Sequence, residues 1–346
     1  MRVNISIPVA AFAAWMFVVG GVRAENHEDL PKNHSVKPQL YATGFAFAEG
    51  PALDPNGSKP NDQEPADLFV VNYREFGTIG LITADGSAGI FCDLRELAPL
   101  EGHVPRANGL KIDSQGRLIA ADSGAGRLLR ISADGKGVEV LADRWEGKRF
   151  NSINDVALDR QGNIYFSDPG GSSVREPIGS IYRYDINTSK VSQLATGFAF
   201  PNGLAVFPNN SAETAAQQYL CLAESQAYRL LIFDLSADGK LSNKRVLIDF
   251  PTETRGEIIG GALKPDGMIF DAAGRLYVAM FGGSVINVVE VPSGKLIRQY
   301  TAGGSQVTNC HFHDGYLYHT VADKEAVFRS KLGVKGFDYN ATPETE

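Results

Sequence analysis

Short apolar runs separated by polar, glycine-bearing turns recur along this chain, and several of them match one another in register. Asn108-Gly-Leu-Lys-Ile-Asp-Ser-Gln-Gly-Arg-Leu-Ile-Ala-Ala-Asp122 aligns with Asn154-Asp-Val-Ala-Leu-Asp-Arg-Gln-Gly-Asn-Ile-Tyr-Phe-Ser-Asp168, and Asp266-Gly-Met-Ile-Phe-Asp-Ala-Ala-Gly-Arg-Leu-Tyr-Val-Ala279 is a third copy. Looser copies begin at Glu49, Asn202 and Asn309, so the six starts are 59, 46, 48, 64 and 43 residues apart. Each copy predicts a strand, a tight turn and a second strand such as Leu118–Ala121 or Tyr277–Ala279, that is, a β-hairpin. Further β-rich runs follow the hairpins at Arg127–Ile131, Ser180–Tyr184, Arg229–Leu235 and Val285–Val291, and the mature chain has no long amphipathic helix. Six units of four short strands predict an all-β fold, a six-bladed β-propeller with four-stranded antiparallel blades around a central channel. The expected boundaries are a lead-in over residues 25–40, the propeller over 41–335 and a tail over 336–346. Polar, turn-rich insertions at Pro60–Pro65, Asn209–Gln218 and Pro251–Gly261 account for the two long spacings.

The inner strand of a propeller blade lines the axis, so a position that recurs in every repeat becomes a ring in the channel. Here that position holds Glu49, Asn108, Asn154, Asn202, Asp266 and Asn309. Taken singly, each reads as a turn residue ahead of a strand. Taken together, two carboxylates and four amides form an oxygen-rich ring without cysteine or paired histidine, which suits a hard cation, Ca²⁺ first, with Zn²⁺, Mg²⁺ or Mn²⁺ as alternatives. Two residues after the ring position the repeat is apolar at Leu110, Val156, Leu204 and Met268 but has His311 in the last copy. That break makes His311 either a substrate or proton-transfer group or a buried structural histidine. Asp122, Asp168 and Glu224 end the second strands and read either as groups near the substrate or as loop caps.

Composition narrows the partners. Lys and Arg number 33 against 40 Asp and Glu, a formal charge of −7, so there is no electrostatic footprint for nucleic acid. Three scattered cysteines are too few for a disulfide framework and read as buried small hydrophobes. Residues 1–24 differ from the rest: Arg2, an apolar run to Val22, then Val22-Arg23-Ala24, the layout of a cleaved secretory signal. An exported protein, periplasmic or secreted and with no stable membrane insertion after signal removal, is expected, and an uncleaved anchor is the alternative. A monomer acting on a small molecule is the expected working form.

Ala48-Glu49-Gly50-Pro51, Asn151-Ser-Ile-Asn154-Asp155-Val156, Ile164-Tyr-Phe-Ser-Asp168-Pro169, Pro201-Asn202-Gly203-Leu204 and Pro265-Asp266-Gly267-Met268 resemble the senescence marker protein 30, gluconolactonase and luciferin-regenerating-enzyme family over about Phe47 to Phe328. The resemblance implies a six-bladed propeller that opens sugar lactones with a divalent metal. It also implies that Glu49, Asn154, Asn202 and Asp266 contact the metal, a subset of the ring. Asn108 and Asn309 are then left over, and Asn108 is assigned to the substrate, beside His311 from the break in the pattern. Animal members of the family have an arginine where this chain has Ser152, and Arg106 or Arg255 is placed to substitute. The expected mechanism has the cation polarise a lactone carbonyl while Asp266 activates water as general base. Two rival readings keep the metal: hydrolysis of phosphotriesters or fluorophosphates, and a binding propeller in which Ca²⁺ is only a structural pin.

Overall fold

Six four-stranded antiparallel sheets form the chain in the computed structural model, which describes residues 27–53, 67–75, 77–83, 87–208, 218–251 and 263–340. Their inner strands are Ala48–Leu53, Ala107–Ile112, Val156–Leu158, Pro201–Pro208, Lys264–Phe270 and Val307–His313, which begin blades 1 to 6. In blades 1 to 5 the four strands follow one another from the axis outwards. Blade 6 takes its outermost strand from the start of the chain, where Gln39–Thr43 pairs antiparallel with Ala326–Lys331. That pairing closes the ring. The expected signal segment 1–24, Arg255 and most of the three insertions lie outside the described residues.

The hairpin repeat has a local cause. Asp113, Asp159 and Asp271 each follow an inner strand, and each accepts hydrogen bonds from the amides two and four residues on, at 2.9 to 3.0 Å. The glycine three positions after each aspartate has φ between 75° and 83°, which a β-carbon would disfavour. Packing then follows from strand alternation. Among the described residues six apolar clusters occur, one between each pair of neighbouring blades, for example Val71, Ile79, Leu110, Ile112 and Leu129 between blades 1 and 2. Cys92, Cys221 and Cys310 are buried free thiols within three of these clusters. The lead-in is tied to blade 5, where Arg275 Nη1 donates to Asp29 at 2.8 Å and the Tyr300 hydroxyl to the Pro31 carbonyl at 3.0 Å.

The far end of the channel is covered by the segment set aside as a tail. Its Phe337 amide donates to the Phe270 carbonyl at 3.0 Å, its Phe337 ring packs on Phe207, and Asn340 Nδ2 donates to the Ile112 carbonyl at 3.0 Å. Residues up to Asn340 therefore belong to the folded body. No helix among the described residues is long and apolar enough to cross a membrane.

Candidate metal centre

The residues of the predicted ring sit at a kink that the inner strands share. In blade 2, Ala107 pairs with Asp122 and Leu110 with Ala120, so three steps on the inner strand oppose two on its neighbour. Blades 1, 4 and 5 have the same irregularity at Glu49, Asn202 and Asp266. An extra residue of this kind is a β-bulge, which re-aims the side chain it carries. Blade 3 holds Asn154 at the same place, its amide donating to the Ser167 carbonyl at 2.9 Å and its carbonyl accepting from the Gly109 amide at 2.8 Å.

Blade 6 corrects the sequence alignment by one residue. Val307 pairs with Val321, Asn309 with Thr320 and Cys310 with His319, which places Thr308, not Asn309, in the row of Glu49 and Asp266. The Thr308 hydroxyl donates to the Ala48 carbonyl at 2.8 Å and lies beside the Glu49 carboxylate. Asn309 belongs to the next row, with Gly50, Gly109, Asp155, Gly203 and Gly267. Four of those six are glycine because the neighbouring blade leaves no room. A β-carbon on Gly109 would stand 2.6 Å from Asp155 Cα, one on Gly203 would stand 2.7 Å from Gly267 Cα, and one on Gly267 would meet the Asn309 side chain. The space the glycines leave is filled by Asp155 and Asn309, which lie against each other under the ring.

Glu49 and Asp266 are both buried. Burial, then the negative charges of Asp266 and Asp155, hold the Glu49 carboxyl well above the usual carboxylate range, against the Gly50 amide and the Thr308 hydroxyl. Burial and Asp155 likewise raise Asp266, against a hydrogen bond from the Asn202 side chain and the Gly267 amide. Asp155 is raised by burial and partly restored by the Lys111 ammonium. Its Oδ1 accepts the Val156 amide at 2.9 Å, while its Oδ2 is buried with no hydrogen-bond partner. A ring of two carboxylates, amide oxygens and a hydroxyl over this third carboxylate fits a hard divalent cation, because oxygen ligands and unbalanced negative charge are what such an ion needs. No cluster of three His, Cys, Asp or Glu side chains placed for a metal occurs among the described residues, so the ion would rely on amide oxygens as well.

His311 lies two positions further down. The register sets it level with Lys111, whose charge it feels, while Cys310 takes the apolar position of Leu110. The apparent break in the apolar pattern therefore came from aligning on Asn309. Burial first, then Lys111, lowers the His311 pKa to about 3. Its Nε2 lies 3.3 Å from the Tyr339 hydroxyl and its Nδ1 3.1 Å from the Phe312 carbonyl. It opens on a cavity of about 520 Å³ at the far end of the channel, bounded by Ile269, Phe312 and the segment Gly333–Asn340. The structure thus brings together Glu49, Asn108, Asn154, Asn202 and Asp266, and sets His311 apart.

The acids at the ends of the second strands are loop caps. Asp122 accepts the Arg106 amide at 2.8 Å and the Arg127 guanidinium at 2.7 Å. Asp168 accepts the Asn151 and Ser152 amides at 3.0 and 2.8 Å, and Glu224 accepts the Ala199 amide at 2.8 Å and Arg229 Nε at 2.7 Å. Arg106 itself stands above Asn108 at the open end, its guanidinium 4.9 Å from the Tyr73 ring centre.

Comparison with known proteins places the chain in a family. The chain is 30% identical over 281 residues to the diisopropyl-fluorophosphatase of Loligo vulgaris, covering 77% of this chain and 82% of that protein. It is 24% identical over 343 residues to a gluconolactonase of Zymomonas mobilis, covering 89% of each. Among solved structures, a regucalcin of Agrobacterium tumefaciens, described as a calcium-binding protein, superposes with a TM-score of 0.67 at 19% identity over 89% of this chain and 98% of that one. The SMP-30/gluconolactonase/LRE-like region matches residues 103–323, and the chain belongs to that family.

Proposed function

We propose that this chain is a hydrolase that opens a lactone, with Ca²⁺ held by Glu49, Asn154, Asn202 and Asp266. The observation that carries the reading is the pair Glu49 and Asp266, two buried carboxylates in each other's field, in a row otherwise built of amide and hydroxyl oxygens. A bound cation offsets the cost of keeping such a pair ionised. When present it supplies polarisation of the carbonyl and stabilisation of the developing oxyanion. The chain's own residues do the rest. Asn202 orients Asp266 by a side-chain hydrogen bond, and the ionised Asp266 carboxylate is the group that would take a proton from the attacking water. Asn108, next in the row, and Arg106 above it face the substrate. The gluconolactonase relative supports the lactone, and the calcium-binding regucalcin supports the ion.

A second reading rests on the fluorophosphatase relative, the more identical of the two: the same residues acting on a phosphotriester. Initial rates on a lactone panel and on diisopropyl fluorophosphate, with protein stripped by chelator and then reloaded with Ca²⁺, separate the two. Lactone turnover lost on stripping and regained on reloading is the expected result. Turnover of the fluorophosphate alone, or lactone hydrolysis indifferent to chelation, refutes the proposal. The charged and apolar start of the chain supports an exported enzyme from which residues 1–24 are removed.

A further inference from the structure

Six residues stand two positions before the metal row, at the open end of the channel: Phe47, Arg106, Ser152, Phe200, Lys264 and Gln306. All six are partly exposed, whereas Glu49, Asn108, Asn202, Asp266 and Thr308 below them are buried. They hold one place in their blades. The carbonyls of Phe47, Arg106, Phe200 and Gln306 accept the amides of Tyr73, Ser123, Ser225 and Ala322, each just past a second strand, at 2.7 to 3.3 Å. This layer borders the carboxylate row on the side away from Gly333–Asn340.

Two features of the layer bear on what that molecule is. Phe47 and Phe200 have φ of 55° and 58°, the left-handed region that disfavours bulky side chains, and they sit in blades 1 and 4, on opposite sides of a six-bladed ring. Phe47 is held between Tyr73 and Phe281, with ring centres 5.6 and 6.5 Å away, and Phe281 belongs to blade 5, so this aromatic wall spans blade 6. The Phe200 amide donates to Ser172 Oγ at 2.9 Å, which fixes its backbone. Arg106 and Lys264 add positive charge, no acid occurs in the layer, and only Ser152 and Gln306 offer neutral polar groups. A ring studded with hydroxyls needs a polar partner for each group it buries, whereas an apolar ring needs flat apolar walls.

We infer that the substrate of this site is a lactone or ester with a flat apolar or aromatic body and an anionic substituent, gripped by Phe47 and Phe200 with Arg106 and Lys264 at its charge. The inference rests on the hydrolase reading above and departs from its sugar-lactone expectation. Its test uses the full Ca²⁺-loaded chain with three substrates: glucono-δ-lactone, dihydrocoumarin and a ring-carboxylated dihydrocoumarin. The expected order of kcat/KM is carboxylated aryl lactone, then aryl lactone, then sugar lactone, with about tenfold or more between first and last. Phe200→Ser should narrow the aryl-to-sugar ratio about tenfold, and Arg106→Gln should remove the advantage of the carboxylate. Calorimetric binding of the ring-opened aryl hydroxy acid gives a readout without turnover. A sugar lactone turned over as well as the aryl lactones, or Phe200→Ser lowering all three equally, overturns the inference and leaves the hydrolase reading standing. Binding of the aryl acid that weakens in Phe200→Ser, with no lactone hydrolysed, supports the substrate class and overturns the hydrolase reading.

Discussion

Replacing Gly203 by alanine adds one methyl group at the contact between blades 4 and 5, directly beside Asp266. The new β-carbon would stand 2.7 Å from Gly267 Cα and 2.9 Å from the Asp266 carbonyl carbon, and closer still to the Asp266 carbonyl oxygen. Carbon atoms at van der Waals contact are about 3.5–4.0 Å apart, so the two strands must separate by roughly 0.8 Å or more. Every atom in the way is backbone, so no side chain can swing aside. Gly203 does not have a positive φ, and alanine carries no conformational penalty there; the cost is packing alone. Overpacking of this kind costs about 1–3 kcal/mol, or a Tm loss of about 1–4 °C in a chain of this size. The displacement falls on Asp266, the proposed ligand and general base, and a misplacement near 1 Å can cost about 10²-fold in rate. Differential scanning fluorimetry and kcat/KM on a good lactone measure the two effects. Gly89→Ala is the control, because a β-carbon there meets nothing within 4 Å and the site is exposed, so stability and rate should stay near wild type. Gly203→Ala matching Gly89→Ala in both Tm and rate would refute the claim that glycine is required by the approach of the neighbouring blade.

Asp266→Asn keeps an oxygen for the cation but cannot accept a proton, so at saturating Ca²⁺ kcat should fall about 10²–10⁴-fold with the ion still bound by calorimetry. Glu49→Gln should behave oppositely, with weaker binding and kcat largely recovered by excess Ca²⁺; equal binding to wild type removes Glu49 from the ligand set. Because Glu49 and Asp266 have raised pKa values, the folded metal-free chain holds their protons above the pH at which the unfolded chain releases them. Their contribution to metal-free stability is therefore full at acid pH and lost as pH rises through the folded values, while Ca²⁺ binds the deprotonated pair. The rise in Tm on adding Ca²⁺ should thus grow from pH 5 to pH 8, and a rise independent of pH sinks the argument. Asp122→Ala leaves the buried Arg127 guanidinium without its 2.7 Å partner and frees the Arg106 amide, so urea unfolding should show a loss of about 3–5 kcal/mol. Intact mass of the natively exported protein should correspond to a chain that starts at Glu25, and a mass that retains residues 1–24 defeats signal cleavage.

How much of this was legible beforehand follows from which interactions are local in sequence. The hairpins were, because Asp113, Asp159 and Asp271 cap their own turns within four residues and leave a fixed Asp-to-Gly spacing. Glu49, Asn108, Asn202 and Asp266 were legible for a less obvious reason: each precedes a glycine that the next blade makes necessary, so a contact between blades leaves a mark in the one-dimensional repeat. Where that glycine is missing, the mark failed. In blade 6 the pair is Thr308-Asn309, and aligning on the asparagine shifted the blade by one, which moved His311 into the wrong row and made it look like a broken rule. In blade 3 the pair is Asn154-Asp155, and the asparagine drew attention from the aspartate that lies under the ring and raises both of its carboxyls. The signal for Asp155 and Asn309 was present as a position where four repeats have glycine and two do not. Those two side chains occupy the room that the four glycines leave, so the exceptions to a small-residue rule in a closed repeat are the places to look for groups that reach the axis.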